Sequence, residues 1–595
     1  VATVSDFLIE RLIGWGVTRI YGYPGDGING IIAAIDRHRD AIAFVQVRHE
    51  EQAAFMACAH AKYTGELGVC LATSGPGAIH LLNGLYDAKN DHVPVLAICG
   101  QAATTAMGSE YQQEVDLQNL FKDVAGEYLV TLMAPSQVRH AVDRAIKSAL
   151  GARSVTALIF PKDLQEESAV ETPAHKMNFT ASSSGIALGR LLPAQEELAR
   201  AAAVLNAGTN VALLVGAGAF GAQAEVIAVA DRLQAGCAKA LLGKAVLPDD
   251  LPWVSGTIGL LGTGASSELM ASCDTLLMIG TNFPYAQFLP KEGAARAVQI
   301  DINAGRLGIR YPTEVSLQGS ARETLAALLP LLEQKTDTTL RDRVAKQKTE
   351  DARVNAARSE VTGSAGINPE KLFLELDRQL PDNVIIAADA GTSTNYCART
   401  LRMRDGMKWS LSGGLATMGS AVPYAIAAKF AFPQRPAIAI TGDGAMQMGG
   451  MNELITVARY WKQWSNPRLL FVVANNRDLN QVTWEMRTES GAPDFPESQH
   501  LPDVSMAEYA QFLGLAGIRV EESENLAEAM RILLAADRPA VLEVVTDPNI
   551  AMLPPHIDAA QARSFASALL HGDPEAVPAM VESVKSIIAG AFPGR

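Results

Sequence analysis

Residues 437–478 read AIAITGDGAMQMGGMNELITVARYWKQWSNPRLLFVVANNRD, and the reading of this stretch decides the fold. Ala437 to Thr441 is a short apolar run of strand type. It breaks at Gly442-Asp443-Gly444, where two glycines admit backbone angles that a side chain forbids. Met446 to Tyr460 predicts a helix, and Leu469 to Val473 a second buried strand that ends in Asn475-Asn476. In a parallel sheet both strands point the same way, so Asp443 and Asn476 both emerge at carboxyl ends, the edge where open α/β sheets bind ligands. A carboxylate, a carboxamide and a nearby backbone carbonyl make an all-oxygen half-shell, which suits Mg²⁺ when a ligand's diphosphate supplies further oxygens. Taken singly, Gly-Asp-Gly also reads as a tight turn and Asn-Asn as a strand end.

The rest of the chain is ordinary globular material. Its 595 residues and 63.2 kDa allow three or four domains at the usual ~150 residues each. A net charge of −14, a pI of about 5.3 and no Lys/Arg-rich run argue against a nucleic-acid partner. An anionic cofactor therefore needs local help from a metal and from helix amino-termini. Cys58, Cys70, Cys99, Cys237, Cys273 and Cys397 lie in apolar segments with no CxxC pair, which predicts reduced core thiols of a cytoplasmic protein and no zinc site. No apolar run approaches the ~20 residues of a membrane span, and no signal peptide is expected at the amino-terminus.

From the amino-terminus the chain alternates helix and strand. Thr3 to Trp15 predicts an amphipathic helix stopped by Gly16, and Thr18 to Gly22 a strand. The turn Pro24-Gly25-Asp26-Gly27 opens the next helix with free backbone N–H groups that could face an anion or a substrate. Phe44 to Val47 is a strand that leaves through Arg48-His49-Glu50-Glu51 into a helix from Gln52 to Tyr63, so Glu50 sits at a strand-to-helix junction. Leu67 to Ala72 and Val93 to Cys99 are further strands around Ser74-Gly75-Pro76-Gly77 and a helix from Ala78 to Ala88.

A GDG followed roughly thirty residues later by NN resembles the signature of thiamine diphosphate (ThDP) enzymes. That resemblance implies Asp443 and Asn476 as Mg²⁺ ligands, with the main-chain oxygen of Asp478 as a third, and Gly442, Gly444 and Ala445 as cofactor contacts. The RHEE run resembles the family motif whose first glutamate, here Glu50, hydrogen-bonds N1′ of the aminopyrimidine and promotes its imino tautomer, a form of general acid–base catalysis. The segment TSGPGAIHLLNGLYDAKNDHVPVLAICGQ resembles the pyrimidine-binding domain of bacterial pyruvate oxidases, with Gly75 and Gly77 as implied cofactor neighbours; Gly25 and Asp26 of the earlier turn are expected beside the cofactor as well. In Tyr111-Gln112-Gln113-Glu114, Gln113 fits a family glutamine near the thiazolium, whereas Gln112 replaces an aromatic residue. His80 and His92 read equally as structural histidines.

Val211 to Val215 predicts a strand followed by Gly216-Ala217-Gly218-Ala219-Phe220-Gly221 and a helix from Gln223 to Leu233. This GxGxxG lacks the acidic residue that a dinucleotide site needs some twenty positions on, and alone it fits equally a glycine turn that binds nothing. The segments holding Lys244, then Gly259 to Gly262, then Gly280-Thr281-Asn282-Phe283-Pro284-Tyr285, then Asp301 and Asn303 resemble, in order, those by which the pyruvate oxidase middle domain holds FAD. Acetolactate synthase-type carboligases also bind FAD here without redox chemistry.

Gln334 to Ser364 reads as an exposed helix and linker. After the strand Val384 to Ala388, the resemblance implies diphosphate contacts at Gly391 and Thr392. It also implies Met418 as the wedge that bends the cofactor and the Ala416 carbonyl as acceptor for its 4′-amino group. Asn480 and Gln481 stand where oxidases carry a glycine and an aromatic residue, so with Gln112 they make the substrate pocket more polar. The tail from Pro554 resembles that of the membrane-associated pyruvate:quinone oxidoreductase. Its Val577 to Ile588 reads as an amphipathic helix whose apolar side, Met580, Val581, Val584, Ile587 and Ile588, packs on the protein, leaving weak or no membrane association.

The fold expected is therefore α/β, with three doubly wound parallel-sheet domains: pyrimidine-binding at 1–180, central FAD-binding at 185–335 and diphosphate-binding at 366–548, with a linker at 336–365 and a tail at 549–595. The resemblance implies ThDP, Mg²⁺ and FAD, a homo-oligomer that is a dimer of dimers, and an active site shared between chains. The expected reaction is oxidative decarboxylation of a 2-oxo acid, pyruvate first, with quinone as a candidate acceptor, in the cytoplasm or peripheral to the inner membrane. Two alternatives stay open: a carboligase with an idle FAD, and a catalytically silent binding scaffold.

Overall fold

The computed structural model describes residues 2–169, 183–550, 563–565, 567–568, 573 and 575–591. The apolar runs become strands of three six-stranded sheets, every pairing within them parallel. The first holds β1 (Arg19–Gly22), β2 (Ala43–Gln46), β3 (Gly68–Ala72), β4 (Val95–Gln101), β5 (Leu129–Thr131) and β6 (Val155–Pro161), in the order β2-β1-β3-β4-β6-β5. The second holds β7 (Val211–Val215), β8 (Gly236–Lys239), β9 (Val254–Thr257), β10 (Thr275–Ile279), β11 (Arg296–Asp301) and β12 (Val315–Gln318), ordered β12-β11-β10-β7-β8-β9. The third holds β13 (Ile385–Ala388), β14 (Lys408–Ser410), β15 (Ala437–Gly442), β16 (Leu469–Asn475), β17 (Ala516–Val520) and β18 (Ala540–Val545), ordered β14-β13-β15-β16-β18-β17. The expected three doubly wound α/β units are thus present.

Central strands such as β7 and β16 are buried along their whole length, because helices cover both faces of a parallel sheet and leave no wet side. The first and third sheets repeat one strand order, while the second, counted from β7, has the order 3-2-1-4-5-6 of dinucleotide-binding folds. In the first and third sheets the winding reverses at the last two strands, and in all three it reverses nearer the middle, between β1 and β3, between β7 and β10, and between β13 and β15. These are the crevices where ligands bind open sheets.

Three local expectations change. Glu50 does not precede its helix but opens it: the helix runs Glu50–Thr64, with His49 capping through Nδ1, which accepts from the Glu51 amide. The helix expected from Ala78 to Ala88 is two helices, Pro76–His80 and Leu82–Asn90, broken at Leu81. The helix expected from Met446 starts earlier, at Asp443, and passes through a π turn at Met446–Gly450 before Met451–Tyr460.

The charged stretch before the third sheet is one 21-residue helix, Thr339–Ser359, laid against the second unit. Arg341 Nε donates to the Ala235 carbonyl, Lys348 Nζ to those of Asp249 and Leu251, and Asp351 accepts from the Ala265 amide at 2.8 Å. The tail helix, Ala576–Ala591, packs on it, and here the sequence expectation is corrected. Met580, Val581, Val584, Ile587 and Ile588 point outward, 39–54% exposed, whereas Ala579, Glu582, Ser583 and Ser586 are buried. The surface offered by Thr339–Ser359 is charged and has few apolar side chains, so the tail lays its small and polar side there. The beginning of the expected tail, from Pro554 to Gln561, lies outside the described residues. No described helix is long and apolar enough to cross a membrane.

Candidate active site

Adjacent strands β15 and β16 run in register, Gly442 opposite Ala474, so Asp443 and Asn476 leave the same sheet edge. Asp443 is buried, and its two oxygens accept from the Gly444 amide at 2.8 Å and the Arg477 amide at 2.5 Å. Burial pushes its carboxyl up to about 7, with Asp478's charge adding to the effect and the amides opposing it. A divalent cation would relieve that cost, and the donors present, carboxylate, carboxamide and backbone carbonyl, are the hard oxygens such an ion takes. Asn476 Oδ1 accepts from the Asp478 amide at 3.1 Å, which orients the carboxamide, and Arg477 between them adopts φ +60°. Asn475 is still in the strand and turns to Glu543, its Nδ2 donating at 2.8 Å, so the second asparagine is the one free for a ligand.

Two helices start at this crevice without a side-chain cap, Thr392–Thr400 after Gly391 and the one opened by Asp443 after Gly442. A Cβ at either glycine would meet nothing within 4 Å, and Gly391 holds φ +114°, which a side chain resists. Open, uncapped helix amino-termini at a strand-order switch fit a diphosphate. Ala445 is buried in the first turn.

The loop Ser412 to Gly419 faces this edge. A Cβ on Gly444 would lie 3.2 Å from Met418 Cε and 2.7 Å from Leu479, so the methionine reaches the Gly442-Asp443-Gly444 turn only because that position is bare. Ala416 takes φ +55°. Asp478 accepts from Thr483 Oγ1 at 2.9 Å and Asn480 Nδ2 at 3.1 Å, and Asn480 also donates to the Pro548 carbonyl. Gln481 accepts from Asn395 Nδ2 at 2.5 Å and donates to Glu485, which ties the pocket segment to the Gly391 helix.

A second group of expected residues assembles at the edge of the first sheet. Glu50 Oε2 pairs with His80 Nδ1 at 3.0 Å, and Oε1 lies 3.2 Å from where a Gly77 Cβ would stand. Gly75, at φ +62°, packs on the backbone of Gln113, whose Oε1 accepts from Ser74 Oγ at 3.2 Å. Gly25 packs on Thr73, while Gln112 is exposed. Asp26 is exposed too and is paired with Lys162 at 3.2 Å. Asn83 links this group to the methionine loop, donating to Glu51 and, at 3.1 Å, to Thr417 Oγ1.

The second sheet uses its glycines partly on itself. Gly216 and Gly218 pack on Gly280, with the Gly218 amide donating to the Gly280 carbonyl at 3.0 Å. Lys244 is buried and donates to the Ala398 carbonyl at 2.7 Å, burial drawing its ammonium down to about 8. Asn303 caps Gly305, and Asp301 accepts from the Asn303 amide at 2.8 Å. Thr281 and Phe283 are buried, and Asn282 Oδ1 is buried without a hydrogen-bond partner among the described residues, an acceptor that a ligand donor would satisfy. The strand order and this orphan fit a dinucleotide, whereas Lys244 is already spent.

Sequence reasoning passed over Asp389. It follows directly on β13, and its oxygens accept from the amides of Ala390 (2.9 Å), Gly419 (2.8 Å) and Ala421 (3.1 Å), so it fixes the far end of the methionine loop, burial pushing it up to about 6. An aspartate closing an apolar strand was the available signal.

Three family models match the chain: the thiamine pyrophosphate enzyme N-terminal TPP binding domain at residues 2–120, the central domain at 198–328 and the C-terminal TPP binding domain at 389–544. The "Putative thiamine pyrophosphate-containing protein YdaP" of Bacillus subtilis is 34% identical over 571 residues, 96% of each chain. A pyruvate oxidase of Lactiplantibacillus plantarum is 31% identical, covering 80% of this chain and 78% of its own. The acetolactate synthase isozyme 3 large subunit of Escherichia coli is 27% identical over 88% and 90%.

Proposed function

The chain belongs to the thiamine pyrophosphate enzyme family, and from that premise we propose that it decarboxylates a 2-oxo acid oxidatively, pyruvate first, passing two electrons to FAD and on to a quinone-type acceptor. The observation that supports the cofactor part of the reading is the pairing of Asp443 and Asn476 with two uncapped helix amino-termini in the β13–β15 crevice; the oxidative part is supported by the likeness to a pyruvate oxidase. When bound, ThDP supplies a carbon nucleophile and an electron sink for decarboxylation, and FAD a two-electron acceptor.

The protein's part is positioning and proton control. Asp443, Asn476 and the Asp478 carbonyl would hold Mg²⁺, and the amides after Gly391 and Gly442 the diphosphate. Glu50 would hold a proton at the aminopyrimidine N1′, with His80 fixing its other oxygen. Met418 supplies apolar bulk beside the metal turn, and the Ala416 carbonyl an acceptor. Gln113, Gln112 and Gln481 would face substrate, whereas the expected Asn480 is buried with its amide spent on Asp478 and the Pro548 carbonyl.

A second reading, a carboligase with an idle flavin, is favoured by the acetolactate synthase relatives. Anaerobic mixing of the flavin-loaded protein with pyruvate separates the two. Bleaching of the flavin supports oxidation; acetolactate or acetoin formed without bleaching overturns it in favour of ligation.

A further inference from the structure

Beneath the methionine loop lies a buried ionic cluster that the proposed chemistry does not use. Lys62, near the end of the helix that Glu50 opens, has its ammonium 2.6 Å from Asp91 Oδ2 and 3.4 Å from Asp87 Oδ1, with side-chain exposures of 6%, 1% and 0%. It also donates to Tyr424 Oη at 2.5 Å and to the Leu411 carbonyl at 2.8 Å. Asp91 Oδ2 accepts from the Gly413 amide at 2.8 Å and Oδ1 from the Gly414 amide at 2.6 Å. Burial pulls the Lys62 ammonium down, but the two carboxylates more than offset this and keep it charged.

Buried ion clusters are costly to assemble and are no better for stability than apolar packing of the same volume. What this one does that apolar residues cannot is grip three backbone groups, at 411, 413 and 414, where the chain enters the loop that carries Ala416 and Met418. Asp389 grips the exit, at 419 and 421. The entrance is therefore held by the first unit and the exit by the third.

We propose that Lys62 and Asp91 are positioning residues for the cofactor: through the 411–414 backbone the first unit sets where Ala416 and Met418 stand over the site that the third sheet builds. The inference rests on the ThDP reading of that site but on neither its substrate nor its flavin.

The test uses Asp91→Asn in the full chain, which keeps volume and one acceptor. Lys62→Arg, which keeps the charge and shifts the donor geometry, is the second variant should the first not accumulate folded. Amide exchange at 411–421 in cofactor-free protein is expected to speed up by about tenfold or more, with protection in β13, β15 and β16 unchanged. ThDP affinity with Mg²⁺ in excess should stay within about threefold, while the circular-dichroism band of the bound imino tautomer, read without substrate, loses roughly half its amplitude or more. Faster exchange with an unaltered band would overturn the proposal, as would unaltered exchange, or a loss of ThDP uptake that merely tracks a loss of protection across the whole third sheet. A wild-type protein that shows the band yet does not turn over pyruvate would count against the proposed reaction and leave this inference standing.

Discussion

Glu50 has one oxygen committed to His80 and the other beside a bare glycine, so Glu50→Gln keeps the shape and removes the charge. Turnover is expected to fall by ~10²–10⁴-fold, the usual worth of a positioned proton-transfer group, with the melting temperature unchanged; steady-state assay beside calorimetry checks both. A second glutamate, Glu453, tests the electrostatics of the fold itself. It is fully buried, accepts from the Arg48 amide at 2.7 Å, and burial pushes it from its ordinary 4.5 up to about 7. Below pH 4.5 folded and unfolded chains both hold this proton. Between there and about 7 only the folded chain does, so the wild type loses stability relative to Glu453→Gln as the pH rises, by up to about 3 kcal/mol. Denaturant unfolding of both proteins from pH 4.5 to 8 reads the difference, and two parallel curves would contradict it. At this scale Asp443 and Asn476 were legible because each follows directly on an apolar strand of a parallel sheet. Lys62 and Asp91 were not, because their partners at Leu411, Gly413 and Gly414 lie more than 320 residues away, and no periodicity reports such a pairing.

Among the elements, strands were the easiest to read, since continuous apolar runs in a doubly wound fold admit few alternatives. The orientation of the tail helix was misread because a stripe of apolar residues says which side is apolar, not which side finds a partner. With that stripe outward, Val584→Asp should change stability by no more than about 0.5 kcal/mol, as surface substitutions do; a drop of several kcal/mol in thermal or denaturant unfolding would restore the inward packing. Besides its small and polar side, the tail is held by Arg487, whose guanidinium pairs with Asp573 at 2.7 Å, with side-chain exposures of 2% and 0%. Arg487→Met leaves a carboxylate buried and unpaired, so it is expected to cost about 3–5 kcal/mol, read as faster amide exchange across 486–494 and 573–591. Unchanged exchange there would show that the tail is held by other contacts.

Over the whole molecule, two sheets of identical strand order stand on either side of the seam where the Glu50 helix packs against the helix Ala421–Ala431. The resemblance implies an active site shared between chains, and placing Glu50 of one chain at the Asp443 turn of another has a direct consequence. Glu50→Gln and Asp443→Asn chains, each inactive alone, should recover about a quarter of wild-type activity on random mixing, because half the dimers are mixed and one of their two sites is intact. No recovery after verified subunit exchange would put the whole site within one chain. The central claim, that the β13–β15 crevice holds a diphosphate through a divalent ion, is tested most directly by titrating cofactor-free protein with ThDP in a calorimeter, with and without Mg²⁺. The account predicts one ThDP per chain when Mg²⁺ is present, and little heat when Mg²⁺ is withheld or Asp443 is replaced by Asn. Uptake that is indifferent to both, or no uptake at all, would contradict it.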